Sequence, residues 1–268
     1  MLRFSVVDFL NARPLTWGLL HEPPADVAVS RDLPSVCAAK LASGEADVGL
    51  IPSIEYQRIP GLTVIPSLCI AASSEVRSVL LVSKVSREKI GTVALDPASR
   101  TSAALARVLL ARRYGVAARY AEASGAEAEA ADARLVIGDP ALKTRQNGCV
   151  VLDLAAEWRA FTGRPFVFAF WAVRAGADAY LAERIVRASY DRGRADFARI
   201  VREEAAESGL SEAVVEDYLR HSLRFELDRG DLGALELFYR LAADEGLIPE
   251  PRPLDLLGRL PAPAPPPN

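Results

Sequence analysis

Short apolar runs of strand length alternate, through the first two thirds of the chain, with segments whose apolar positions recur at helical spacing. That alternation is the pattern of an α/β fold. Residues 47–51, 92–95 and 134–137 are nearly continuous apolar runs, as strands buried in a parallel sheet are. Between them the spacing predicts a helix over 33–43, with Pro34 suited to its first turn and Gly44 to its stop. A second helix is predicted over 99–114, where Leu105, Val108, Leu109 and Arg112 share a face and Gly115 follows. Residues 178–246 read as helical throughout, punctuated by Gly193 and Gly209, with Leu232, Leu235, Phe238 and Leu241 as the last apolar stripe. The Pro-rich end, 261–268, predicts an extended or disordered tail.

Two parts of the chain echo each other. Ser5-Val6-Val7-Asp8 leads past Asn11 into a helix-like stretch at 14–20, as Thr92-Val93-Ala94-Leu95-Asp96 leads past Ser99 into the helix at Thr101. Ala46-Asp47 opens an apolar run that ends at Pro52, and Ala131-Asp132 opens one that ends at Pro140. Two similar α/β lobes are expected. The strand-like segments 78–82 and 166–171 flank the second and predict a two-stranded hinge. On this reading lobe 1 comprises residues 1–85 and 172–260, and lobe 2 residues 86–171. Ligands of open α/β sheets sit at the carboxyl ends of strands and between domains. The expected site is therefore the cleft lined by loops 8–14, 52–56, 97–102 and 138–141.

The chain has 268 residues, 50% of them hydrophobic and 25% charged, enough for a sizeable core and incompatible with global disorder. A net charge of −3 without a Lys/Arg stripe argues against nucleic acid as a partner. The longest uncharged stretch, 59–74, is broken by Pro60, Gly61 and Pro66 and is too short to span a membrane. The first residues lack the apolar core of a signal peptide, so a cytoplasmic location is expected. Cys37, Cys69 and Cys149 form no CxxC pair and read as reduced, buried thiols.

Dinucleotide and nucleotide glycine loops and the GxSxG elbow are all missing. His21 and His221 are the only histidines, which leaves little material for a metal site or a Ser-His pair; no metal is expected. What remains is neutral chemistry. A helix starting near Thr101 offers unpaired N–H groups beside the hydroxyls of Ser99, Thr101 and Ser102, which suits a carboxylate. Equally, Ser99 or Thr101 could simply cap that helix. Ser53 and Ser78 are further neutral donors, though Ser78 alone could be an ordinary strand serine. Asn11 could fix a ligand group through its amide or support a turn, and Asp139, before Pro140, could orient a neighbour, act as a base or shape its loop. From these residues alone the chain is a two-lobed binder of a small anion.

Six motifs in order add a resemblance. They are Asn11-Ala12-Arg13-Pro14-Leu15, the run from Gly44 to Tyr56, Val76-Arg77-Ser78-Val79, the run from Leu95 to Ser102, the run from Ile137 to Leu142, and Glu157-Trp158 with the run from Thr162 to Ala169. Together they resemble the chorismate dehydratases of the futalosine route to menaquinone, over residues from about 3 to about 174. Arg164 departs from the pattern, where an apolar residue is more usual. The resemblance implies a two-lobed, type II periplasmic-binding-protein-like α/β fold and removal of water from chorismate without a cofactor. It implies catalytic roles for Asn11 and Ser78, and substrate binding by Ser53, Ser99, Thr101, Ser102 and Asp139. The expected partner is chorismate itself, with neither nucleic acid nor membrane, and a homodimer stays open. Two rivals use the same fold: a non-catalytic solute-binding protein, and dihydroxynaphthoate synthase, which employs a histidine.

Overall fold

The alternation of strands and helices resolves into two mixed sheets in a computed structural model that describes residues 1–122, 125–144 and 148–258. The Pro-rich 261–268 segment lies outside the described residues. The first sheet contains β1 (Leu2–Val7), β2 (Val27–Asp32), β3 (Val48–Pro52), β4 (Leu62–Ala72), β10 (Phe166–Arg174) and β11 (Arg224–Glu226), in the order β11-β4-β10-β3-β1-β2. The second contains β5 (Val79–Ser83), β6 (Thr92–Leu95), β7 (Arg119–Glu122), β8 (Ala133–Ile137) and β9 (Val150–Asp153), in the order β7-β6-β8-β5-β9. The echo in the sequence is real in space. β3-β1-β2 and β8-β6-β7 are parallel trios, and each is flanked on the same side by an antiparallel strand, β10 or β5.

The helices are α1 (Arg13–His21), α2 (Pro34–Ser43), α3 (Arg100–Val108), α4 (Gly125–Ala130), α5 (Asp139–Leu142), α6 (Leu154–Thr162), α7 (Ala179–Ala195), α8 (Phe197–Ser208), α9 (Glu212–Asp217) and α10 (Arg229–Asp244). Gly44, in the left-handed region at φ 78°, stops α2 as its position predicts. α3 continues through a π-helical turn, Leu109–Arg113, and α9 through another, Tyr218–Ser222. Among the described residues, no helix is long and apolar enough to cross a membrane. Cys37 and Cys69 are buried and Cys149 is half-buried.

Three expectations need correction. First, segments 78–82 and 166–171 do not pair as a hinge: β5 joins β8 and β9, whereas β10 joins β3 and β4. The chain crosses between the sheets at 73–78 and again at 163–165. A buried apolar run shows that a strand exists but not which sheet takes it. Second, 178–246 is not helical throughout, because β11 adds an edge strand to β4. Third, Gly193 punctuates nothing. It lies inside α7 where α1 passes so closely that a Cβ would run into the Pro14 carbonyl oxygen. That close contact is pinned by the Ser189 hydroxyl, which donates to Leu15 O at 2.8 Å and accepts the Leu19 N–H at 3.0 Å. α7 thereby fixes α1, and α1 fixes the loop that precedes it.

Candidate functional site

β1 runs out into Phe9 and a 3-10 turn, Leu10–Ala12, that carries Asn11. The turn is anchored from behind. Arg13, 6% exposed, ion-pairs with Glu204 of α8 and reaches Asp8 at 2.7 Å. Burial pushes the Glu204 carboxyl up, and the Arg13 charge pulls against it. Asn11 Oδ1 is buried and finds no hydrogen-bond partner among the described residues. An orphaned buried acceptor costs about 1–3 kcal/mol, which a ligand's donor would recover.

On the opposite lobe β6 leads into Ser99, the residue before α3. Its hydroxyl does not cap the helix; it donates to Ser102 Oγ at 2.7 Å. Ser102 Oγ therefore keeps its own proton to give, beside the first N–H groups of α3, which have no acceptor inside their helix. Ser78, fully buried, sits at the first lobe crossing, where its carbonyl accepts the Gly138 N–H at 2.8 Å and its Oγ accepts the Tyr218 hydroxyl at 2.7 Å.

Asn11, Ser78, Ser99 and Ser102 line one cleft between the lobes. Its walls are apolar, from Val7, Phe9, Ile70 and Phe168 on the side of the first sheet to Val79 and Ile137 on the side of the second. No charged side chain lines it among the described residues. The other three candidates stand behind this surface. Ser53 Oγ donates to Val167 O at 2.8 Å, which ties the turn after β3 to β10, and Thr101 Oγ1 accepts the Ile54 N–H at 3.1 Å, which ties the start of α3 to that turn. Asp139 opens α5 behind Gly138, where a Cβ would stand 3.6 Å from the Phe9 ring. Burial raises the Asp139 carboxyl, with the Leu10 N–H and the Arg13 charge pulling it down.

Sequence reasoning misses Phe9, Phe168 and Tyr218. The alternating phenylalanines of residues 166–170 put Phe168 on one face of its strand, but nothing local ties Tyr218 to a serine 140 residues away. Neither histidine lines the cleft: His21 Nδ1 is 2.9 Å from Trp17 O, and His221 is exposed beside Asp217.

Two lobes, a cleft at the carboxyl ends of both parallel trios and neutral donors facing an apolar trough define a protein of the periplasmic-binding-protein fold type. Solved structures agree on the fold: a protein from Archaeoglobus fulgidus has a TM-score of 0.75 at 16% identity, covering 92% of this chain and 98% of that one. The periplasmic aliphatic sulphonate binding protein of Escherichia coli has a TM-score of 0.63, also at 16% identity, covering 100% and 97%. The particular family is set by sequence. Residues 2–244 match the menaquinone biosynthesis family, and the chain belongs to it. Similar relatives are a chorismate dehydratase of Thermus thermophilus, 29% identical over 86% of this chain and 91% of that one, and one of Campylobacter jejuni, 31% identical over 62% and 65%.

Proposed function

We propose that this protein is a chorismate dehydratase, converting chorismate to 3-(1-carboxyvinyloxy)benzoate and water. The observation that carries the reading is the orphaned, buried Oδ1 of Asn11 in a cleft whose other polar groups are hydroxyls. Family membership and relatives of that name support it. Chorismate offers an apolar ring for the trough, two carboxylates for the hydroxyls and helix start, and a ring C4 hydroxyl whose proton Oδ1 can accept.

The reaction breaks the C4–O bond and the C3–H bond, and the C–H electron pair completes the aromatic ring. The oxygen leaves with its pair and ends as water after taking up the C3 proton. Among the described residues no His or Lys lines the cleft to act as base. In this mechanism the carboxylate of the substrate's own enolpyruvyl arm takes the C3 proton, and the protein holds that arm folded over the ring. Such positioning can lower a barrier by about 7–11 kcal/mol. Asn11 fixes the C4 hydroxyl, the Ser78 hydroxyl donates to the departing oxygen, and Ser99, Ser102 and the α3 start hold a carboxylate. Ser53, Thr101 and Asp139 shape the site from behind.

The test is incubation of the purified protein with chorismate and mass spectrometry of the products. Loss of one water to give 3-(1-carboxyvinyloxy)benzoate is expected. Chorismate bound but unchanged would contradict the proposal in favour of a solute-binding protein. Turnover of cyclic dehypoxanthinyl futalosine in its place would favour dihydroxynaphthoate synthase, a reading the position of both histidines opposes.

A further inference from the structure

The lobe crossing at 73–78 is held far more tightly than a linker needs. Arg77 takes φ +62°, the left-handed region rarely adopted by residues other than glycine. Asp153 pays for that conformation by accepting the N–H groups of Val76 at 3.2 Å and Arg77 at 2.6 Å. Asp217, at the end of α9, takes the Arg77 guanidinium, which also lies 5.9 Å over the Tyr218 ring. The Ser78 N–H turns back to Val76 O at 2.7 Å. The backbone of Ser78 is thus fixed, and the direction of its hydroxyl proton is the only freedom left.

Tyr218 removes that freedom. It is 1% exposed, stands on the π-helical turn after α9 and places its hydroxyl 2.7 Å from Ser78 Oγ. Two directions of donation are conceivable. If Ser78 donated to the phenol, the phenol proton would need another acceptor, and Tyr218 makes no other side-chain hydrogen bond among the described residues. A buried O–H without an acceptor is costly, so the phenol donates and Ser78 Oγ is left with its own proton facing the cleft. Burial also pushes the Tyr218 phenol far above its ordinary value, which keeps the donor protonated.

We propose that Tyr218 is a positioning residue that commits Ser78 to donate its hydroxyl proton into the cleft, to the oxygen departing from the substrate. The role rests on the dehydratase reading. The test compares chorismate turnover by the full chain as wild type, Tyr218→Phe, Ser78→Ala and the double variant. For Tyr218→Phe, kcat is expected to fall about tenfold with KM nearly unchanged, less than the ~10²–10³-fold typical when a charge-stabilising donor is removed outright. The double variant should match Ser78→Ala alone, because the phenol then has no serine to orient. An active wild type with kcat unchanged in Tyr218→Phe, or losses that multiply in the double variant, would overturn the role. A wild type that leaves chorismate unchanged overturns the dehydratase reading instead, and the role with it.

Discussion

The exits of β1 and β6 occupy matching places in two sheets of matching order, yet they deliver different chemistry to the cleft. β1 ends in a 3-10 turn with a carboxamide whose oxygen is unpaired, backed by the buried Arg13–Glu204 ion pair. β6 ends in a hydroxyl pair at the start of a helix whose first residue, Arg100, reaches across to the buried Glu55 at 2.8 Å. The first suits a hydroxyl group on the ligand, the second a carboxylate. A repeated scaffold therefore leaves each loop free to specialise, because the strands and not the loops carry the fold.

The same contrast appears at the paired aspartates that precede β3 and β8. Each accepts the N–H group at the start of its neighbouring strand: Asp47 from Arg3 at 3.1 Å, Asp132 from Thr92 at 2.8 Å. Asp47 adds the guanidinium groups of Arg3, at 2.7 Å, and Arg174, at 3.0 Å; Asp132 adds only the Gly91 N–H and the Thr92 hydroxyl. The Arg3 hydrogen bond holds the Asp47 carboxyl far below the usual range, and the Thr92 hydroxyl lowers Asp132.

The largest expected effect of breaking this asymmetry is at Arg13. Arg13→Met leaves Glu204 buried and unpaired, which should cost about 3–5 kcal/mol in denaturant unfolding, and Arg13→Met with Glu204→Met should recover most of it. Asp47→Asn comes next, at about 2 kcal/mol for weakening charge-assisted hydrogen bonds, and Asp132→Asn should lower the melting temperature less. Because both aspartates have folded values below their unfolded ones, their stabilisation is complete above the ordinary aspartate pKa of about 3.9 and is lost as pH falls below it. Below about pH 4 thermal melts should therefore fall less steeply for Asp47→Asn than for wild type. The smallest effect concerns salt. A cleft lined by neutral groups should bind product with less than about twofold change between about 0.05 and about 0.5 M salt, whereas a hidden cationic site would weaken severalfold.

Much of this was legible in the sequence because period and punctuation are local. The runs at 47–51, 92–95 and 134–137 are strands, the helices at 33–43 and 99–114 are present to within a residue or a π-helical turn, and the repeated Ala-Asp and Pro marks trace a repeated topology. Sheet membership was not legible, since β5 and β10 read alike and only their partners separate them. At the site, Asn11, Ser78, Ser99 and Ser102 were visible as loop or strand-end donors. What composition could not separate was a hydroxyl facing the cleft from one spent on a carbonyl behind it, as at Ser53, or on an amide, as at Thr101. Tyr218 was hidden for the same reason on a larger scale, because its partner is distant in sequence.

The central claim is that the two loops divide the work, Asn11 acting on the group that leaves and the serine pair on the group that stays. Steady-state chorismate kinetics of Asn11→Ala beside Ser99→Ala/Ser102→Ala test it most directly. The account predicts that Asn11→Ala lowers kcat by ~10²–10³ with KM little changed, and that the serine variant raises KM about tenfold with most of kcat kept. Equal losses of kcat in both variants, or a loss confined to KM in Asn11→Ala, would contradict it.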